Sequence, residues 1–304
     1  MMKKAIVTGA NGLVGGSVVR YLVSNGIDVL CLGRQHLTPA QVNEIFEEGV
    51  KYIQLGMDNI TELPEKIDHI NWRAGHDCVF YNFAWSGIKN LTDGSFEDQL
   101  RNAISSSLAV KAAKNIGCSK FINSGTLEET YAEWHMDKGA PYSSTQGNYA
   151  IAKLASRNMC AMTAYLDKID YIHSRLSVPL SPDLSVGGYI SKTLKKIAGN
   201  DNYDPPKNDQ LYDITSTHDI AQAYYLIGLH GKNKADYFIG SGRPTKLIDY
   251  FQQFEHSILS LPIEEKNYSS IYSSVFFNIE PLCADTGFVA STNRFDLLEV
   301  EKTI

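Results

Sequence analysis

Six short runs rich in β-branched and aromatic residues fall at 3–8, 28–33, 51–56, 77–84, 120–125 and 170–177, separated by helix-length amphipathic stretches near 12–25, 39–48, 96–116 and 145–166. Strands that alternate with helices must run parallel, because each helix carries the chain back along the sheet, and right-handed crossovers then lay helices on both faces. The expected fold is α/β, a doubly wound parallel Rossmann sheet. After residue 178 the pattern changes to Pro- and Asn-containing loops with helices at 216–230 and 245–260, which reads as a smaller lobe. The expected division is a dinucleotide-binding unit over 1–177, with 213–240 returning to it, and a substrate-binding lobe over 178–304.

The first strand candidate runs straight into TGANGLVGGSVVRYL, with Gly9, Gly12 and Gly15 three apart and a helical pattern starting at Leu13. A tight strand-to-helix turn without Cβ atoms lets backbone approach a pyrophosphate, and the helix start supplies free N–H groups and a positive dipole end. Asn11 and Leu13 of the same turn complete this set of dinucleotide-binding candidates. The acidic residue that would bind a ribose 2′-hydroxyl after the second strand is absent; VLCLGRQ has Gly33 and Arg34 there. An Arg accepts a 2′-phosphate, which favours NADP(H) over NAD(H), with a solvated surface Arg as the alternative. Asp58, just past the third strand, is a candidate for the adenine amino group or a turn Asp.

In GNYAIAKLAS, Tyr149 and Lys153 are four apart and so leave one face of a helix a turn apart. A nearby ammonium stabilises a phenolate, so the pair is expected to lower the Tyr149 pKa and make it a proton carrier. KFINSGT ends in hydroxyls at the C-terminal mouth of a parallel strand, where ligands of such sheets bind; Thr126, and less so Ser124, is the expected partner of the substrate oxygen.

TGANGLVG, NFAW (82–85), Asn102, SGT (124–126), Tyr149 with Lys153, YDITSTHDIAQAY (212–224) and YFIGSG (237–242) together resemble the extended short-chain dehydrogenase/reductase family of nucleotide-sugar epimerases, dehydratases and reductases. The resemblance implies Gly9, Gly12 and Gly15 at the pyrophosphate, Asp58 at the adenine, Ala84 at the nicotinamide-side ribose, and Thr126, Tyr149 and Lys153 as the catalytic set. It also implies a homodimer through the helices near 96–116 and 145–166. The chain departs from the family's pattern after Arg175, where Ser177 and Val178 follow instead of an Asn, and at Tyr212, where many members carry Arg.

Among the chemistries of that family, Arg34 favours NADPH and hence reduction of a keto group on a nucleotide-linked deoxysugar. Dehydration is the second choice: Glu128 and Glu129 follow Thr126, but Leu127 leaves an acid-base pair half apolar, and both glutamates also read as exposed loop carboxylates. An epimerase with retained NAD(H), and a non-catalytic dinucleotide-binding sensor or scaffold, remain open. Trp85 and Tyr189 are candidate substrate walls.

Composition closes other classes. The net charge of −6 comes with no basic face, so neither nucleic acid nor an anionic membrane is an expected partner. The eight histidines and five widely spaced cysteines lack metal-ligand or disulfide spacing, so no metal is expected. The N-terminus lacks a signal-peptide core, and a cytoplasmic location is the expectation.

Overall fold

The computed structural model describes residues 1–46, 48–87, 95–141, 144–184, 188–207, 210–264, 276–291 and 295. The end of the expected lobe, over 265–275, 292–294 and 296–304, lies outside the described residues.

All six strand candidates form strands: β1 (Lys4–Thr8), β2 (Asp28–Gly33), β3 (Lys51–Gln54), β4 (Cys78–Asn82), β5 (Lys120–Thr126) and β6 (Asp170–Leu176). After β6 come β7 (Val178–Leu180), β8 (Leu211–Tyr212), β9 (Ile214–Ser216), β10 (Asp236–Ile239) and β11 (Thr245–Lys246). The main sheet has the order β10-β6-β5-β4-β1-β2-β3, and every neighbouring pair is parallel. The fold is the doubly wound α/β sheet expected from the alternation.

The strands explain both layers through their period of two. Ala5, Val7, Val29, Cys31, Val79, Tyr81 and Ile122 point to one face and pack with Val18, Val19 and Leu22 of α1 (Leu13–Ser24), Val42 and Phe46 of α2 (Pro39–Phe46), and Ile220, Tyr224 and Ile227 of α8 (Thr217–His230). Ile6, Leu30, Leu32, Cys78, Phe80 and Phe121 point to the other, against Leu63 and Ile67 of α3 (Leu63–His69), Ala109 and Val110 of α4 (Phe96–Asn115), and Cys160 and Ala164 of α6 (Gly147–Asp167). A third apolar cluster joins α7 (Tyr189–Ala198) to α9 (Leu247–Ile258) through Leu194, Tyr250, Phe251 and Phe254. The two-stranded pairs β7-β9 and β11-β8 also lie in the later part of the chain, and β10 rejoins the main sheet as its edge beside β6. The last described helix is α10 (Glu280–Thr286), whose Leu282 joins the α1 and α8 side of the core.

Four of the described helices, α3, α5 (Leu127–Asp137), α7 and α10, have no counterpart in the sequence reading. α3 follows a 3-10 turn at Met57–Glu62, and α5 starts directly where β5 stops. Among the described residues no helix is long and apolar enough to cross a membrane, and no group of three or more His, Cys, Asp or Glu side chains could hold a metal ion.

Candidate active site

The strand order reverses at β1: β2 and β3 follow on one side, β4, β5 and β6 on the other. At such a switch point the loops beyond the strand C-termini part and leave a crevice. Thr8, the last residue of β1, laces one wall of it. Its hydroxyl donates to Asn82 Oδ1 at 2.8 Å and accepts from the backbone N–H groups of Phe83 and Ala84 at 3.1 Å each. Asn82 in turn donates to Asn123 Oδ1 at 2.9 Å and Ser106 Oγ at 3.1 Å, so the ends of β1, β4 and β5 are held level.

Gly9 follows with φ +64°, and a Cβ on it would stand 2.9 Å from the Ala84 nitrogen. A Cβ on Gly15 would stand 2.3 Å from the Gly9 oxygen. Gly12 is the extended residue before α1, and no side chain caps that helix, so its first-turn N–H groups face the turn. Only glycine fits this close approach, and the uncapped helix start beside it suits a pyrophosphate; the residues present fit a dinucleotide. At the end of β2, a Cβ on Gly33 would lie 2.5 Å from the Tyr52 hydroxyl, and Asn11 Nδ2 donates to Gln35 Oε1 at 3.0 Å. Arg34 is exposed, its stem lying over Gly56, and Asp58 is exposed in the 3-10 turn that Gly56 opens. The rim at the end of β2 thus carries a guanidinium where a carboxylate would select an unphosphorylated ribose.

β5 ends at Thr126, which is also the residue that caps α5. Its side chain accepts from the first turn of the helix, and Glu129 reaches back so that its Oε1 accepts from the Thr126 N–H at 2.9 Å, closing a capping box. The other carboxylate oxygen lies 2.8 Å from His173 Nε2. Tyr171 Oη and Asn123 Nδ2 both face His173 Nδ1, at 3.3 and 3.5 Å, which assigns the imidazole proton to Nε2 and makes it the donor to Glu129. Glu129 is 0 % exposed. With both oxygens engaged inside the protein it supports Thr126 from behind, which corrects its expected place at the substrate. The reading of both glutamates as loop carboxylates is corrected too, since they form the first turn of α5. The spacing Thr126-x-x-Glu129 was the available signal.

Tyr149 and Lys153 stand one turn apart on α6, as the i, i+4 spacing requires, and meet Thr126, Ser124 and Trp85. Tyr149 shares a hydrogen bond with the Thr126 side chain. The buried Lys153 ammonium donates to the Ser124 carbonyl at 2.8 Å and stands over the Trp85 ring, 3.9 Å from its centroid. Trp85 meets Tyr149 edge to face at 6.0 Å and donates from Nε1 to Gln99 Oε1 at 2.8 Å. Gln99 went unnoticed in the sequence, because nothing in a helix start marks a glutamine as the partner of a tryptophan fourteen residues earlier. Asn102 holds the same loop, accepting from Ser86 N–H and Oγ at 2.9 Å each.

The electrostatics reverse one expectation. Burial pushes the Tyr149 phenol well above its ordinary value; the Thr126 hydrogen bond opposes this, and Glu129 and Glu128 add to it. The ammonium is spent on Ser124 and Trp85 and stays 5.9 Å from the Tyr149 ring centroid, so it does not lower that pKa. Burial lowers Lys153 from 10.5 to about 8, with Glu129 and Cys160 pulling it back up. Of the remaining candidates, Ser124 is buried, its Oγ accepting from Tyr224 Oη at 3.1 Å. Tyr189 opens α7, packed on Phe251 and donating to the Asp204 carbonyl at 2.6 Å. Arg175 is turned onto Glu133 and Asp236, at 2.8 Å each.

A sequence profile of the NAD dependent epimerase/dehydratase family matches residues 5–240. The chain belongs to this family. It is an NAD(P)-dependent enzyme of the extended short-chain dehydrogenase/reductase type. Solved structures of the same fold include the UDP-glucose 4-epimerase of Thermotoga maritima with UDP-glucose, at 17% identity and TM-score 0.72, covering 98% of this chain and 97% of that one. The Bordetella bronchiseptica enzyme WbmG in complex with NAD matches at 15% identity and TM-score 0.72, covering 98% and 92%. Pal from Bacillus thuringiensis matches at 18% identity and TM-score 0.72, covering 99% and 97%. At these identities the likeness establishes the fold.

Proposed function

We propose that this member of the epimerase/dehydratase family is an NADPH-dependent reductase that acts on a keto group, at C4, of a nucleotide-linked deoxysugar. The observation that carries this reading is a phenol held protonated by burial and tied to Thr126 at the C-terminal mouth of β5. A protonated Tyr149 is ready to give a proton to a carbonyl oxygen, which is the requirement of reduction; oxidation of an alcohol needs the phenolate. Bound NADPH supplies the hydride. Gly9, Gly12, Gly15, Asn11 and Leu13 would hold its pyrophosphate side, Arg34 its 2′-phosphate, Asp58 its adenine, and Ala84 with Lys153 its nicotinamide-side ribose. Thr126 orients the substrate oxygen and Tyr149 protonates it.

Dehydration fits less well, because Glu129 is engaged with Thr126 and His173 and leaves Glu128 as the remaining acidic candidate. Glu128, Trp85 and Tyr189 are proposed substrate contacts. A cytoplasmic site of action and a homodimer complete the reading. The test is to follow nicotinamide absorbance with a panel of 4-keto-6-deoxy nucleotide sugars, using NADPH and NADH in parallel. The expected result is consumption of NADPH in preference to NADH, and a loss of about 100-fold or more in Tyr149→Phe with cofactor affinity retained. No consumption with any of them, together with NAD that copurifies, points to the epimerase instead. Turnover unchanged in Tyr149→Phe removes the catalytic assignment.

A further inference from the structure

Lys153 carries an ammonium into a buried place. Among the described residues its ammonium has one oxygen partner, the Ser124 carbonyl at 2.8 Å. The other side of the charge is covered by an aromatic face: Nζ lies 3.9 Å from the Trp85 centroid, well inside the range at which a ring quadrupole attracts a cation, and the site is desolvated, where that attraction is strongest. The indole is not free to drift away. Its Nε1 donates to Gln99 Oε1 at 2.8 Å, Gln99 is buried, and the ring edge meets Tyr149.

We propose that Trp85 is the positioning residue for Lys153, its indole face holding the ammonium in place between the Ser124 carbonyl and the Tyr149 ring. This rests on the catalytic reading of Tyr149 and Lys153. The surroundings leave few rivals for the task. From α6 itself Lys153 meets Tyr149 and Cys160. From α5 comes Glu129, with Glu128 acting on Tyr149, and from β6 comes His173, engaged with Glu129. α4 brings the neutral Gln99 and Asn102 to this end, while its Glu97 and Asp98 are exposed. Among the described residues Glu129 and Cys160 oppose the burial of the charge, and the Trp85 ring is the group whose face covers it.

The test compares Trp85→Phe, which keeps an aromatic face, with Trp85→Leu, which does not; Trp85→Leu opens the larger space, whose added solvation raises the lysine, so a lower midpoint in that variant reports the ring. Competitive acetylation of the protein without cofactor or substrate, read at Lys153 by mass spectrometry across pH, gives the midpoint of its titration. The expected midpoint in Trp85→Leu is about one pH unit below that in Trp85→Phe, and the basic limb of turnover shifts by the same amount. Equal midpoints, or a higher one in Trp85→Leu, overturn the proposal. Because labelling needs no substrate, a failed sugar assay leaves this result standing, and a failed labelling result leaves the reductase reading standing. Where Trp85→Leu does not fold, indole emission decides. The difference in emission between the parent and Trp85→Phe is expected to titrate with Lys153 and to vanish on a Lys153→Met background, and a flat difference overturns the proposal.

Discussion

Lys153 shows how a functional residue departs from what folding alone would select. Its pKa falls from 10.5 to about 8 because burial disfavours the charge. Below about pH 8 the lysine is charged in both folded and unfolded chains, and the cost of burying it is present in full. As pH rises from about 8 toward 10.5, the folded protein has released the proton while the unfolded chain still binds it, so the contribution to stability rises with pH. The full cost is about 3 kcal/mol by linkage. Lys153→Met is therefore expected to lose turnover yet unfold no more easily than the parent near pH 7. Urea denaturation at about pH 7 and pH 9.5 checks the sign: the parent gains about 2 kcal/mol over Lys153→Met between them. The pairing of Tyr149 with Lys153 was legible from spacing; the direction of the Tyr149 shift was not. Spacing fixes which side chains share a helix face, whereas the pKa depends on where the Lys153 ammonium turns, and it turns to Ser124 and Trp85.

At the scale of an element, α5 ties the proposed catalytic hydroxyl to folding through its first-turn contacts. Thr126 both caps the helix and holds Tyr149, while Glu129 closes the capping box and accepts from His173. Thr126→Ala is expected to cost about 1 kcal/mol as a lost cap and to reduce turnover as a lost hydrogen bond to Tyr149. Thr126→Ser keeps an oxygen at the same place and is expected to restore both, measured by denaturant midpoints and steady-state rates. Equal turnover in the two variants would separate the cap from the chemistry. Gly125 explains why so small a residue precedes this corner: a Cβ there would stand 2.3 Å from both Glu129 Oε1 and His173 Nε2. The strands were legible as short runs of β-branched and aromatic residues, and the long helices as the helix-length stretches between them. α5 was missed because it follows β5 without a turn residue, and its capping box was read as loop chemistry.

At the scale of the whole molecule, α4 and α6 both present apolar side chains to solvent. Phe96, Leu100 and Ile104 lie four apart on α4, and Ile151, Met159, Met162 and Leu166 lie along α6; all are exposed. The two helices are neighbours, with Ser107 Oγ and Cys160 Sγ 3.8 Å apart between them. Exposed apolar side chains in such number mark an interaction surface, and the homodimer proposed above would cover them with the same helices of a second copy. Sedimentation or light scattering is expected to find a dimer, and the double variant Ile104→Glu with Met162→Glu is expected to be monomeric at the same concentration. A monomeric parent would remove the dimer.

The sequence by itself determined the sheet, its parallel direction, the glycine turn after β1 and the helix face shared by Tyr149 and Lys153. Each of these follows from local rules: the period of apolar residues, the handedness of crossovers, and the absence of Cβ atoms. Tertiary structure alone decided that Glu129 turns inward to Thr126 and His173, that Trp85 covers the Lys153 charge, and that Tyr149 keeps its proton. Those outcomes join residues far apart in the chain, such as Glu129 with His173 and Trp85 with Lys153, and depend on how much water reaches each charge. Neither quantity is written in the spacing of residues; both appear when the layers close over the crevice.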